Sequence, residues 1–200
     1  NCVKYDLREA VFGNKNVLPM WVADMDFETP DFVRYAVMQR AQHPVYGYHF
    51  KDDAYFQSII YWLERRHQWN VQKEWLSFTP GVVCGFNIAV MALTREGDEI
   101  IIQTPVYPPF HSAVTAHDRQ LLCNPLKVGA KGYEMDFDLL ERQAKTAKML
   151  ILCNPHNPVG RAWRHDELLK VGKICQKHHL IVVSDEIHCD LVLPGYKHTP

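Results

Sequence analysis

The chain has 200 residues, enough for one large domain with a substantial core. Its 47% hydrophobic and 22% charged content is that of an ordinary globular protein, and a formal net charge of −1 offers neither nucleic acid nor an anionic membrane an electrostatic footprint. No apolar run reaches the roughly 18 residues that span a bilayer, and no charged-then-apolar leader opens the sequence, so a cytoplasmic protein is expected.

Residues 1–30 read as irregular, around the short apolar run VLPMWVADMDF. Thr29-Pro30-Asp31 is a helix start, and the helix runs through Arg40 until His43-Pro44 ends it, because the residue before proline avoids the helical region. VYGYHF is a loop. A second helix is expected from Asp53 to Trp69, with Ile59, Ile60, Trp62, Leu63 and Arg66 at helical spacing. Strands and helices then alternate: WLSFT as a strand, a turn and helix in TPGVVCGFNIAVMALTRE, EIIIQT as a strand, PPFHSAVTAHD as a helix and QLLCNPLKV as a strand. MDFDLLERQAKT is a helix, KMLILC a strand, HDELLKVGKICQKHH a helix ended by His178-His179, and LIVVS a strand. Strands apolar on both faces, alternating with helices, predict an α/β fold with a largely parallel sheet in a three-layer αβα arrangement.

The cysteines are Cys2, Cys84, Cys123, Cys153, Cys175 and Cys189. None forms a C-x-x-C pair and several lie in apolar runs, so free thiols in a reducing compartment are expected. Zinc ligation is the alternative, disfavoured because metal sites usually show paired ligand spacings. The sequence opens on Asn1 and stops at Pro200 within a pattern, as a piece of a longer protein would.

In parallel sheets ligands sit beyond the carboxyl ends of the strands. There the sequence places T-P-G-V-V, T-P-V-Y-P-P, N-P-H-N-P-V-G and D-E-I-H. Gly81 permits a tight turn into a helix whose free N–H groups, at Val82 and Val83, form a ready anion site. Taken alone, that segment reads more readily as a plain strand-to-helix turn. Asn154-Pro155-His156-Asn157-Pro158-Val159-Gly160 is the most specific string, a stiff loop able to aim the Asn157 amide. Asp185 closes an apolar run, as strand-end punctuation or as a site residue.

NPHNPVGRAW followed by an apolar strand and SDEIHCDL resembles the fold-type-I pyridoxal-phosphate (PLP) enzymes of the class I/II aminotransferase family. PMWVADMDF, VYGY and SDEIH are similar to its MalY/PatB branch, the cystathionine β-lyase or carbon–sulfur lyase group. The resemblance implies that Val82 and Val83 bind the cofactor phosphate through backbone N–H groups. Tyr107 stacks on the pyridine ring and assists proton movement. Asn157 bonds the cofactor's O3′, and Asp185 pairs with the ring nitrogen. His188 stands near O3′, where most aminotransferases of the family carry tyrosine. Tyr48, in preference to Tyr46, reaches the phosphate of a partner subunit in a homodimer. Ala23 leaves room beside the substrate carboxylate. By their residue types alone, Trp21, Met25 and Phe27 read as packing residues, and Asp24 and Asp26 as hydrogen-bonders of their loop rather than catalytic acids.

The resemblance also places the cofactor-linking lysine and the substrate-carboxylate arginine beyond residue 200, and Lys197 is not assigned to the lysine's role. Residues 1–30 would belong to or border a small domain and 31–200 begin the large PLP-binding domain. The implied reaction is β-elimination at a carbon–sulfur bond of cystathionine or a related cysteine conjugate, yielding thiol, pyruvate and ammonia. An aminotransferase on the same scaffold, or a non-catalytic regulator retaining the fold, are the alternatives.

Overall fold

Three consecutive isoleucines, Ile100, Ile101 and Ile102, are wholly buried, and they explain the architecture. A strand turns successive side chains to opposite faces, so such a run requires cover on both sides. The computed structural model describes residues 1–130 and 132–200. Its strands are β1 (Glu99–Ile102), β2 (Gln120–Cys123), β3 (Lys127–Gly129), β4 (Gly132–Glu134), β5 (Met149–Cys153) and β6 (Ile181–Asp185). Four of them form a sheet in the order β2-β1-β5-β6, and every pairing in it is parallel. β3 and β4 form a separate antiparallel pair.

The helices are α1 (Val3–Asp6), α2 (Arg8–Phe12), α3 (Asp31–Gln42), α4 (Asp53–His67), α5 (Val82–Leu93), α6 (Pro109–Thr115), α7 (Phe137–Gln143) and α8 (His165–His178). One face of the sheet joins Ile100, Ile102, Met149 and Ile151 to Phe86 and Val90 of α5 and to Phe110 and Val114 of α6. The other joins Ile101, Leu150 and Leu152 to Leu140 of α7 and to Val171 and Cys175 of α8. The register sets Ile101 beside Leu150 and Ile102 beside Ile151, so each face stays continuous across the strands. Each fully buried aliphatic side chain here is worth about 1.5–3 kcal/mol relative to exposure. The αβα expectation therefore holds.

Local chemistry sets the ends. Asp136 caps α7 by accepting from the Leu139 N–H at 3.0 Å. Glu167 accepts from the Arg164 N–H at 2.9 Å at the start of α8, which ends where His179 enters the left-handed region at φ 57°. This is the stop expected at His178-His179. By the contacts within the chain, residues divide into two units, Asn1–Phe50 and Lys51–Pro200. Among the described residues no helix is long and apolar enough to cross a membrane, and all six cysteines are free thiols.

Four expectations need correction. WLSFT is not a strand: Lys73–Trp75 makes a 3-10 turn, and among the described residues no neighbouring strand supplies a ladder for 76–79. β propensity alone does not form a strand without a partner. QLLCNPLKV is not one strand: β2 stops at Cys123, the Asn124 and Leu126 N–H groups still reach the Ile102 and Thr104 carbonyls, and Lys127–Gly129 pairs instead with an unforeseen strand, Gly132–Glu134. LIVVS is not buried on both faces, since β6 lies at the sheet edge with Ile181 and Val182 exposed. Met25 and Phe27 do not pack but lie exposed among the described residues, whereas Trp21 meets the Phe12 ring edge-on at 5.5 Å and donates to the Lys4 carbonyl.

Candidate active site

The carboxyl ends of β1, β5 and β6 lie side by side, and main-chain bonds tie together the loops beyond them. Both Asn154-Pro155 and Asn157-Pro158 are cis, as is Thr104-Pro105 after β1. The Tyr107 N–H donates to the Asn157 carbonyl at 3.1 Å, and the Asn154 N–H donates to the Asp185 carbonyl at 3.0 Å. Register pairs Cys153 with Asp185. Tyr107, Asn157 and Asp185 thus belong to one bonded framework at one edge of the sheet.

Within the β5 loop the two asparagines differ. Asn154 is buried, accepting from the Trp163 N–H at 3.1 Å and donating to the Thr199 carbonyl at 3.2 Å. It is a clamp. Asn157 is half-buried and uses its main chain structurally, while its side-chain amide has no partner among the described residues. Burial pushes the Cys153 thiol up to about 11. The protonated thiol donates to the Pro155 carbonyl and accepts from the Asn157 N–H, each at 3.4 Å. That bracing cysteine was not anticipated, because nothing in a strand's last residue signals it.

Asp185 is 6% exposed. Its Oδ1 accepts from the Ile187 N–H at 3.1 Å, and Oδ2 has no partner among the described residues. Burial raises its pKa above the ordinary carboxylate value; the Ile187 N–H and His188 oppose the rise, and Glu186 adds to it. His188 is half-buried and opens the 3-10 turn Cys189–Leu191.

Gly81, at φ 101°, turns the chain into α5 with no side-chain cap, and Val82 and Val83 occupy the first two helical positions, half-exposed. Uncapped N–H groups at the start of a helix this long favour an anion. α5 packs on α6 and on β6, the strand that ends at Asp185. The Tyr107 ring is 41% exposed, which suits a flat ligand face better than a core position.

Asp190 was missed altogether. Its carboxylate accepts from the Trp62 indole at 2.9 Å and lies 3.1 Å from His67 Nε2 and 3.5 Å from Arg66 Nε. Three residues of α4 therefore hold the segment that carries His188. The apolar stripe of α4 is half-buried at Ile59, Ile60 and Leu63, leaving Trp62 and Arg66 for Asp190. Cys189 joins His67 and Asp190 in a set with metal-ligand chemistry. The Arg66 cation and the Trp62 N–H already engage that carboxylate. Beside it, His198 is buried, pairs with Glu186 at 3.0 Å and meets the His67 ring edge-on at 5.4 Å. Lys197 donates to the Gln68 side chain at 3.3 Å.

Ala23 and Tyr48 lie in the other unit, Asn1–Phe50. Ala23 is exposed in a loop held by buried Lys4, which bonds the Asp24 carbonyl at 2.8 Å and the Asp26 carboxylate at 2.9 Å. Tyr5 adds a bond to Asp26 at 2.7 Å, so Asp26 is a loop hydrogen-bonder. The Tyr46 hydroxyl bonds the Ala41 carbonyl and Arg40 lies over its ring, whereas Tyr48 is fully exposed.

The sequence profile described as aminotransferase class I and II matches residues 15–199, and so spans both the parallel sheet and the loops beyond its strands. The chain belongs to that family. It is 44% identical over 200 residues to the cystathionine beta-lyase PatB of Bacillus subtilis, covering 99% of this chain and 52% of PatB. It is 31% identical to the protein MalY of Escherichia coli over 202 residues, covering all of this chain and 52% of MalY. Among solved structures, cystalysin of Treponema denticola, which contains PLP, superposes with TM-score 0.94 at 38% identity, covering 100% of this chain and 52% of cystalysin. The PLP-bound C–S lyase of Staphylococcus hominis superposes with TM-score 0.91 at 32% identity, covering 100% of this chain and 51% of that one. The chain spans about half the length of the relatives it matches.

Proposed function

We propose that the chain supplies the N-terminal part of the cofactor-binding half of a PLP-dependent carbon–sulfur β-lyase. In the complete protein, residues 1–30 would belong to or border the small domain and 31–200 begin the large one. The single observation that carries the cofactor is Asp185: a buried carboxylate, raised in pKa, with one oxygen unpartnered among the described residues, suits a protonated ring nitrogen. The remaining groups fit the same ligand. Uncapped N–H groups at Val82 and Val83 suit its phosphate, the Asn157 amide its ring hydroxyl, and the half-exposed Tyr107 ring its flat face.

Pyridoxal phosphate, when bound, supplies an electron sink for charge left on a substrate's α-carbon. Asp185 holds the proton on the ring nitrogen, and poor screening by water strengthens that pairing. Asn157 fixes the ring's orientation in its plane. Tyr107 covers one face and offers its hydroxyl for proton movement. His188, three residues after Asp185, would stand near the ring hydroxyl. The net change is cystathionine plus water to thiol, pyruvate and ammonia. Similarity to a named cystathionine beta-lyase and to a C–S lyase supports elimination over amino transfer. Tyr48, fully exposed, is proposed to reach a partner subunit's phosphate in a cytoplasmic homodimer, and Ala23 to border the substrate carboxylate.

The test is a full-length preparation given PLP and cystathionine. A visible cofactor band with thiol and pyruvate released in equal amounts is expected. Amino transfer that requires a keto acid, with no thiol released, would overturn the lyase assignment; absence of the band would overturn the cofactor.

A further inference from the structure

We propose that His156 is a positioning residue that fastens the Tyr107 loop and the Asn157 loop into one unit against the cofactor ring. The proposal rests on the cofactor assignment above. His156 is 2% exposed and sits between the two Asn-Pro bonds. Its Nε2 lies 2.9 Å from the Pro105 carbonyl oxygen. A carbonyl only accepts, so Nε2 carries the hydrogen and the side chain is a donor. Nδ1 is buried without a partner among the described residues. Burial lowers the ring's pKa against the opposing pull of the Pro105 carbonyl, consistent with a neutral imidazole.

The ring itself is held firmly. The His156 N–H donates to the Arg161 carbonyl at 2.7 Å, and its carbonyl accepts from the Gly160 N–H at 2.9 Å. The Trp163 ring meets the imidazole edge-on at 5.5 Å. One residue further on, the Tyr107 N–H returns a bond to the Asn157 carbonyl at 3.1 Å. Two bonds of opposite direction therefore join residues 105–107 to 156–157, one from a side chain and one from main chain. The groups proposed to cover and orient the cofactor ring sit at the two ends of that clamp. A histidine that merely fills space needs no donor at Nε2, and leucine would serve.

The experiment compares wild type, His156→Leu and His156→Gln in the full-length protein, Gln extending an N–H to about the reach of Nε2. Two quantities are read: hydrogen exchange of the Tyr107 amide without cofactor, and the affinity and visible band of added PLP. In His156→Leu the Tyr107 amide should exchange about tenfold faster, because the bond beside it loses its brace. PLP affinity should fall about tenfold or more and its band should shift, since a small displacement of orienting groups has that scale. His156→Gln should restore both. Unchanged exchange and band in His156→Leu, or a folded His156→Gln that behaves like His156→Leu, would overturn the proposal. Should wild type show no PLP band while the Leu variant still loses Tyr107 protection, the cofactor assignment fails and the clamp stands.

Discussion

Burial along β6 runs against hydrophobicity. Ile181 and Val182 are 37% and 41% exposed, while Asp185 at the same strand's end is 6% exposed. An ionised carboxylate without a matching cation is costly in such a place. Its folded pKa is raised above the unfolded value, so the side chain's favourable share of stability is complete below the unfolded pKa, about 3.9, and is lost as pH rises through the folded one. Asp185→Asn has no such dependence and keeps an oxygen for the Ile187 N–H. Without cofactor, wild type and Asp185→Asn should unfold at similar urea concentrations near pH 3.5. The variant should gain relative to wild type toward pH 7, while binding PLP at least tenfold more weakly. A wild type that gains on the variant over that range would show a solvated or already paired carboxylate.

At the scale of elements, the sheet and the hub at Asp190 make separable contributions. Leu150, wholly buried between β1 and β6 and facing α7 and α8, should cost about 2–5 kcal/mol when changed to Ala. Asp190→Ala should cost about 1–3 kcal/mol in urea unfolding, because buried His67 loses its partner and α4 loses its hold on the segment after β6. The sheet was legible in the sequence because MLILC and EIII announce themselves by composition. The hub was not: Trp62 and Asp190 are 128 residues apart, and nothing local marks either as the other's partner. The failed strand at WLSFT and the change of partner between Cys123 and Lys127 have the same origin, since pairing rather than propensity decides where a strand exists.

At the scale of the whole molecule, loop chemistry after the strands pointed to Tyr107, Asn157 and Asp185, and the turn at Gly81 pointed to Val82, because turn residues and lone ionisable groups interrupt apolar runs there. The supporting roles of Asn154, Cys153 and His156 were hidden, since each depends on which way a side chain turns within the same short loop. Unit Asn1–Phe50 carries an α3 with no buried residue and a fully exposed Tyr48. If Tyr48 serves a neighbouring subunit, Tyr48→Phe in the full-length dimer should weaken PLP binding about tenfold, the worth of one hydrogen bond to a charged group. Dimers mixing Tyr48→Phe with a cofactor-site variant such as Asp185→Asn should then pair both lesions in one site and leave the other intact. Titration of such mixtures would show one tight site per dimer; two equally weakened sites would place Tyr48 in its own subunit's site.

The framework joining the three strand ends is written largely in main chain: Tyr107 N–H to Asn157 carbonyl, Asn154 N–H to Asp185 carbonyl, bare N–H groups at Val82 and Val83. Peptide groups are the same whatever side chains they carry. Such a scaffold lets the side chains set on it change while the frame that holds them stays unchanged. Divergence of chemistry within one architecture then requires few coordinated substitutions.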